Sequence, residues 1–559
     1  MMNVTPPERA ATGPSPARAI ALSDPGALEQ AGQDALEQGN LALAELAYLK
    51  LSAAHPSAEA HAQVYEVAAA RTNYALARRA LEAVVGCEPH NAAALEQLAA
   101  LRAGTGDAPG AIDALRRALM IDPKNPALAT AYAVLSQHTL DHLHEVPDLL
   151  AKAAGLDTDG AHLEQIVDAS IYQQRYQDAE HFIGVYQARA GSLNPQMLRY
   201  LGVALAGQDR PNEAREVFSA AIDACNAALP AQTPSAAEWR AMDDAESARV
   251  YELYAFRARL EHEARQSSSA LGTYAILRDA GIARGLAYPN AGHADAAARL
   301  EDLRRLVAGR DLVMLCHGHS LGDFGARIGE LGKRKPAFSS LNRFGVVQRE
   351  VLGPAQRGLD IVLALGAGSL RGTLTHLKPF LQQARRTMAI TSPAALTAAF
   401  DPESRAAFLA VNGPRVMSVA GNALRSVTPD DPLGTIQEGT LLAALPLLVA
   451  AQPKRLFLIG ADYGVPTDKT TSHFVGQSGI GGRSETGVIA FGGNTQLREN
   501  FETAMRHDAA VCDRDLAFQI GAMATLHGFA PPPVFNVSAN SRLQSLPKIS
   551  LDEFFAMVD

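Results

Sequence analysis

Asn40–Leu51 reads NLALAELAYLKL, Asn73–Val84 reads NYALARRALEAV and Asp107–Leu119 reads DAPGAIDALRRAL. Aligned, the three put Ala44, Ala77 and Ala111 in one column, 33 and 34 residues apart, with Ala47, Ala80 and Ala114 in a second column. Each stretch is followed by a proline, Pro56, Pro89 and Pro123, again at spacings of 33 and 34. Proline stops one helix pair before the next opens, and small side chains in register let two helices approach closely. In a region rich in Ala, Leu, Glu, Gln and Arg, this period predicts stacked helical hairpins rather than a generic Ala-rich bundle. Ala179 lies 68 residues beyond Ala111, and Ala214 follows in DRPNEAREVFSAAIDA, so the phase survives a degenerate unit at His138–Asp157.

The repeat resembles the tetratricopeptide repeat, whose unit is a helix-turn-helix of 34 residues. It occupies residues 26–285 and predicts a solenoid that docks an extended segment of another protein. Residues 1–25, mixing Pro, Ala and Arg without a continuous apolar core, predict a disordered tail rather than a signal peptide. Residues 286–309 read as a linker, with RGLAYPNAGHAD at Arg284–Asp295 as a hinge, followed by a helix at Ala296–Val307. The hinge has few apolar anchors, so the halves are expected to separate as folded units.

From residue 310 to 559 the period changes. DLVMLCHGHSLGD, GLDIVLALGAGS, RTMAITS, PRVMSVAGN, KRLFLIGADYG and PPVFNVSANS are short apolar runs that end in Gly, Ser, Asn, Asp or His. Such runs between helical stretches predict a mostly parallel, Rossmann-like α/β sheet, so the fold class is α + α/β. Ligands of such sheets sit beyond the carboxyl ends of the strands, where these polar residues fall.

Composition narrows the function. The chain has 559 residues, enough for at least two domains at about 100 to 200 residues each. Its net charge of -9 does not fit a nucleic-acid binder held by a basic surface. With 47% hydrophobic and 19% charged residues, most of it should fold. Cys87, Cys225, Cys316 and Cys512 are scattered without a C-x-x-C pair, which predicts neither disulfides nor zinc and fits a cytoplasmic location. The longest apolar run, Leu441–Ala451, is short of the roughly 20 residues that span a bilayer. Asp513-Arg514-Asp515 has the form of a D-x-D metal motif, but within a helical stretch it reads as a solvated face. No metal or other cofactor is expected.

Four segments in order resemble Maf motility-associated glycosyltransferases and bacterial lipooligosaccharide sialyltransferases. HGHSL at His317–Leu321 resembles their G-P-S-L turn, and FSSLNRFGVVQREVLGP from Phe338 resembles their R-x-N-x-F segment. EGTLLAALPLLVAAQPKRLFLIGADYG from Glu438 resembles their helix and strand ending in G-x-D, and Ser472-His473-Phe474 resembles the S-H-Y segment of the sialyltransferase base. His317, His319, Ser340 and Gly464 stand where these families have Asn, Pro, Arg and Tyr; Tyr463 is the nearest substitute for the last.

The resemblance implies a bacterial enzyme that moves a sugar from a nucleotide donor to Ser or Thr of a protein held by the repeat arm. It suggests a CMP-linked nonulosonic acid as donor and flagellin as acceptor. It implies His473 as the base, suited by an imidazole pKa of about 6.5, with Asp462 orienting its loop or contacting the nucleotide. Donors are then needed for the departing phosphate. The backbone around Gly318, with Ser320 and Asn342, would serve, and His317, His319, Arg343, Gly460 and Tyr463 complete the donor-side set. Two other readings stand beside this one: a non-catalytic adaptor with a vestigial nucleotide-sugar site, and an enzyme like the pterin diphosphokinases, which share the G-x-S-L and G-x-D segments.

Overall fold

Six described joints within helix pairs use the same local chemistry. The computed structural model describes residues 24–105, 107–137, 142–284, 296–341, 347–364, 387–391, 396, 400–418, 440–464 and 495–559. The tail expected at residues 1–25 therefore lies almost wholly outside the described residues, and the first helix begins at Pro25. Helices α1 (Pro25–Glu37) and α2 (Leu41–Ala54) pair, as do α3 (Ala58–Ala70) and α4 (Tyr74–Cys87), and α5 (Ala92–Gly104) and α6 (Ala108–Ile121). The series continues with α7 (Pro126–Ser136) and α8 (Val146–Leu156), α9 (Leu163–Tyr172) and α10 (Tyr176–Ala190), and α11 (Pro195–Gly207) and α12 (Pro211–Ala228). After α13 (Ala236–Ala241) comes a last pair, α14 (Asp244–Glu263) and α15 (Ser267–Arg284).

At the turn within a pair, one residue enters the left-handed region, as at Gly39, Thr72, Gln174, Asp209 and Arg265. The next amide then reaches back five residues: Asn40 to Ala35, Asn73 to Ala68, Asp107 to Arg102, Arg175 to Ser170, Arg210 to Leu205 and Gln266 to Glu261. This closure satisfies carbonyls that the helix end would leave bare. Because it recurs between α14 and α15, that hairpin belongs to the same series. Side chains cap the starts with the same period: Asp24, Ser57, Asn91 and Asn125 on the first helices, and Asn40, Asn73 and Asp107 on the second. The column alanines Ala44, Ala47, Ala77, Ala111 and Ala114 are fully buried where the helices meet.

Helix α16 (Ala296–Val307) leads into a seven-stranded sheet in the order β5-β4-β3-β2-β1-β6-β7, all neighbours parallel. The strands are β1 (Asp311–Leu315), β2 (Ala337–Leu341), β3 (Ile361–Ala364), β4 (Met388–Thr391), β5 (Val416–Ser418), β6 (Arg455–Ile459) and β7 (Val534–Asn536). Strand β2 was not among the apolar runs of the sequence; Ser339 and Ser340 interrupt it, and both are fully buried.

Alternate residues of the central strands enter two cores, as a sheet covered on both faces requires. Val313, Leu315, Phe457 and Ile459 meet Phe324 of α17 (Ser320–Arg327), Phe408 of α18 (Pro402–Asn412) and Phe554 and Phe555 of the terminal helix. Leu312, Met314, Leu456 and Leu458 meet α19 (Thr440–Ala450), α20 (Thr495–His527) and the last hairpin through Tyr254, Ala258, Tyr274 and Leu277.

The segment 26–285 thus ends inside the core of the α/β half, and a cut near residue 285 removes part of one face. The expectation of separable halves meets this shared core, which the hinge composition did not reveal. A second contact lies at the far end: Arg71, beside the second joint, pairs with Glu45 and with Glu403 of α18, and Arg405 reaches the Thr72 hydroxyl at 3.3 Å. Among the described residues, no helix is long and apolar enough to cross a membrane.

Candidate functional site

The chain leaves β1 toward β2, β3, β4 and β5, then returns to the other side of β1 as β6. That reversal makes the carboxyl ends of β1 and β6 the switch point of the sheet. Two sequence-selected clusters, Cys316–Ser320 and Gly460–Tyr463, meet there.

Two glycines permit the meeting. The Gly318 amide donates to the Gly460 carbonyl at 2.8 Å, and the Cys316 amide donates to the Ile459 carbonyl at 2.7 Å. A Cβ on Gly318 would lie 2.4 Å from an Asp462 carboxylate oxygen, and one on Gly460, whose φ is +81°, would lie 2.7 Å from the Cys316 carbonyl oxygen. The Asp462 carboxylate then accepts from the Ser320 amide at 2.8 Å and from the Ser320 hydroxyl at 2.6 Å. The Ser320 hydroxyl in turn accepts from the Gly460 amide at 3.1 Å. Asp462 therefore caps the N-terminus of α17 from 142 residues away, a favourable place for a negative charge. The donors assigned to a phosphate, Gly318 N and Ser320 N and Oγ, are engaged within the protein.

The other selected residues take different positions. The His317 ring bonds the Leu341 carbonyl at the end of β2, and His319 is buried. Tyr463 has a φ of +52° and packs its ring on the core, with its hydroxyl 3.2 Å from Cys512 Sγ of α20. Its phenol is pushed well up by burial, with the neighbouring Cys512 adding to the shift. Burial also pushes the Cys316 and Cys512 thiols up to about 12, so neither is poised as a nucleophile. Tyr463 thus anchors its loop to α20. Asn342, Arg343 and His473 lie outside the described residues.

Asp513 and Asp515 are not a solvated pair. Asp513 accepts from the Gln544 and Ser545 amides, each at 2.8 Å. Asp515 is fully buried, 2.9 Å from His262 Nε2 and 2.8 Å from the Arg514 guanidinium.

Sequence reasoning placed the polar end of PPVFNVSANS at this edge but gave neither Ser541 nor Arg542 a role. Ser541 Oγ donates to the Ala461 carbonyl at 2.6 Å and the Arg542 amide to the Asp462 carbonyl at 3.0 Å, which fixes this segment to the site. The Arg542 guanidinium holds Glu502 of α20 and lies over Gly464, where a Cβ would come within 3.3 Å of its central carbon. The available signal was the polar run PPVFNVSANS, and Arg542 is the first residue past its end.

No protein-family model and no curated protein matches the chain. Among solved structures it is similar to a tetratricopeptide repeat protein from Parabacteroides merdae, at 11% identity over 48% of this chain and 94% of that one, with a TM-score of 0.34. It is also similar to Pseudomonas aeruginosa pilF, at 17% identity over 36% and 90% of the two chains and a TM-score of 0.27. The MamA protein matches at 17% identity over 36% and 91%, with a TM-score of 0.22.

Proposed function

We propose that the chain is a glycosyltransferase whose repeat arm holds a protein acceptor while the carboxyl edge of the sheet binds a nucleotide sugar. The observation that carries this reading is the contact of Gly318 with Gly460 at the switch point, where open α/β sheets take their ligands. The arm's part is supported by its stacked hairpins, an architecture that recognises extended segments of other proteins. His473 is the base in this proposal, a CMP-linked nonulosonic acid the donor and flagellin the acceptor. Incubating the full chain with that donor and flagellin should release CMP and add one sugar mass to flagellin. His473→Ala should lower the rate roughly 10²- to 10⁴-fold while donor binding stays. Mass gain at an unchanged rate in the variant would remove His473 from the role.

A second reading, a non-catalytic adaptor, is favoured by the engagement of Ser320 with Asp462, which fills the helix terminus from within. It expects acceptor capture with no sugar transfer and no nucleotide binding.

A further inference from the structure

The carboxyl edge needs positive charge to hold a nucleotide phosphate, and its helix terminus is already neutralised by Asp462. Several polar groups described there are engaged within the protein: the Tyr463 hydroxyl with Cys512, the Ser541 hydroxyl with the Ala461 carbonyl, and the Lys548 ammonium with the Ser541 carbonyl. Arg542 is different. Its backbone is fixed by the Asp462 carbonyl, and its side chain is 35% exposed, so it is not sealed in the core. One nitrogen holds the Glu502 carboxylate and another the Glu502 carbonyl at 3.2 Å, which orients the planar group. Gly464 supplies the room, since any side chain there would press on the guanidinium. A guanidinium has five N–H donors, and a pair with one carboxylate leaves others for a second anion.

The geometry points to Arg542 as the anion-binding side chain of this edge, taking the phosphate of the nucleotide, with Glu502 as the residue that aims it. This rests on the nucleotide-sugar reading for the identity of the ligand, but not for the chemistry of the contact. Arg542 contacts the ligand; Glu502 acts through Arg542.

The test is calorimetry on the full chain with CMP, cytidine and inorganic pyrophosphate, comparing wild type with Arg542→Gln, Arg542→Lys and Glu502→Gln. Arg542→Gln should weaken CMP binding roughly 10- to 100-fold, the scale of a charge-assisted hydrogen bond. Arg542→Lys should fall between, since an ammonium keeps the charge and loses the fork. Cytidine, lacking phosphate, should bind both proteins equally. Glu502→Gln should weaken CMP less than Arg542→Gln does. Thermal midpoints of all variants establish that they fold, and Arg542→Lys serves if Arg542→Gln does not. CMP binding unchanged in Arg542→Gln, or in Arg542→Lys if that is the folded variant, would overturn the assignment while leaving the nucleotide reading intact. Pyrophosphate binding that needs Arg542, with no binding of CMP, would keep the assignment and defeat the nucleotide-sugar reading. Failure of wild type to bind either anion would defeat both.

Discussion

His262 Nε2 lies 2.9 Å from the Asp515 carboxylate, and this pair of buried side chains joins the last hairpin of the solenoid to the longest helix of the α/β half. Arg514 bonds the same carboxylate, and the His262 ring packs on Phe518 with centroids 4.2 Å apart. Burial alone would raise the Asp515 pKa, but the hydrogen bonds from His262 and Arg514 outweigh it and hold the carboxyl below its ordinary range. A depressed carboxylate stabilises the fold above its unfolded pKa of about 3.9 and loses that contribution as pH falls through the folded value. Asp515→Ala should therefore cost about 3 to 5 kcal/mol near neutral pH, as breaking a buried pair does. The gap in urea midpoint between wild type and variant should shrink below about pH 4. A gap that widens with acid would contradict the assignment.

The shared core sets where the chain can be cut. A fragment from Leu300 loses Tyr254, Ala258, Tyr274 and Leu277 from one face of the sheet and should lack cooperative unfolding. A fragment from Asp243 retains them and should unfold in one transition by calorimetry. Two equally sharp transitions would restore the hinge as a domain boundary.

Glycine positions in the solenoid give opposite signs for one substitution. Alanine exceeds glycine in helix propensity by roughly 1 kcal/mol. Nothing lies within 4 Å of a Cβ on Gly184, so Gly184→Ala should stabilise by up to that amount. A Cβ on Gly202 would lie 2.7 Å from the Phe218 ring, so Gly202→Ala should destabilise by about 1 to 3 kcal/mol. Thermal melts of the two variants should move in opposite directions.

The cap between Ser320 and Asp462 makes a further prediction. Ser320→Ala and Asp462→Ala should each lower stability by about 1 to 2 kcal/mol, and a double-mutant cycle should give a coupling of at least about 0.5 kcal/mol. Strict additivity would show that the two side chains do not act together.

The solenoid was legible because its determinants are local and periodic: the alanine columns and closing prolines recur along the chain. The parallel sheet was legible from apolar runs, except β2, where Ser339 and Ser340 hide a buried strand behind hydroxyls. Partners distant in sequence were not legible. Asp-Arg-Asp at 513–515 has the local pattern of a solvated face, and only folding brings His262, 253 residues away, onto Asp515. Likewise Asp462 stood out as a strand-end carboxylate, while its task of capping Ser320 depends on the order of β1 and β6. Arg542 escaped notice because it lies in the loop after β7, and only folding brings it against Gly464.

Titration of the full chain with CMP, UDP, GDP and ATP, in EDTA and then with Mg, tests the central claim most directly. With phosphate held by protein donors rather than a metal, CMP should bind in EDTA in preference to the others, and Mg should not be required. Preference for ATP with Mg, or no nucleotide binding under either condition, would contradict a nucleotide-sugar site at the meeting of β1 and β6.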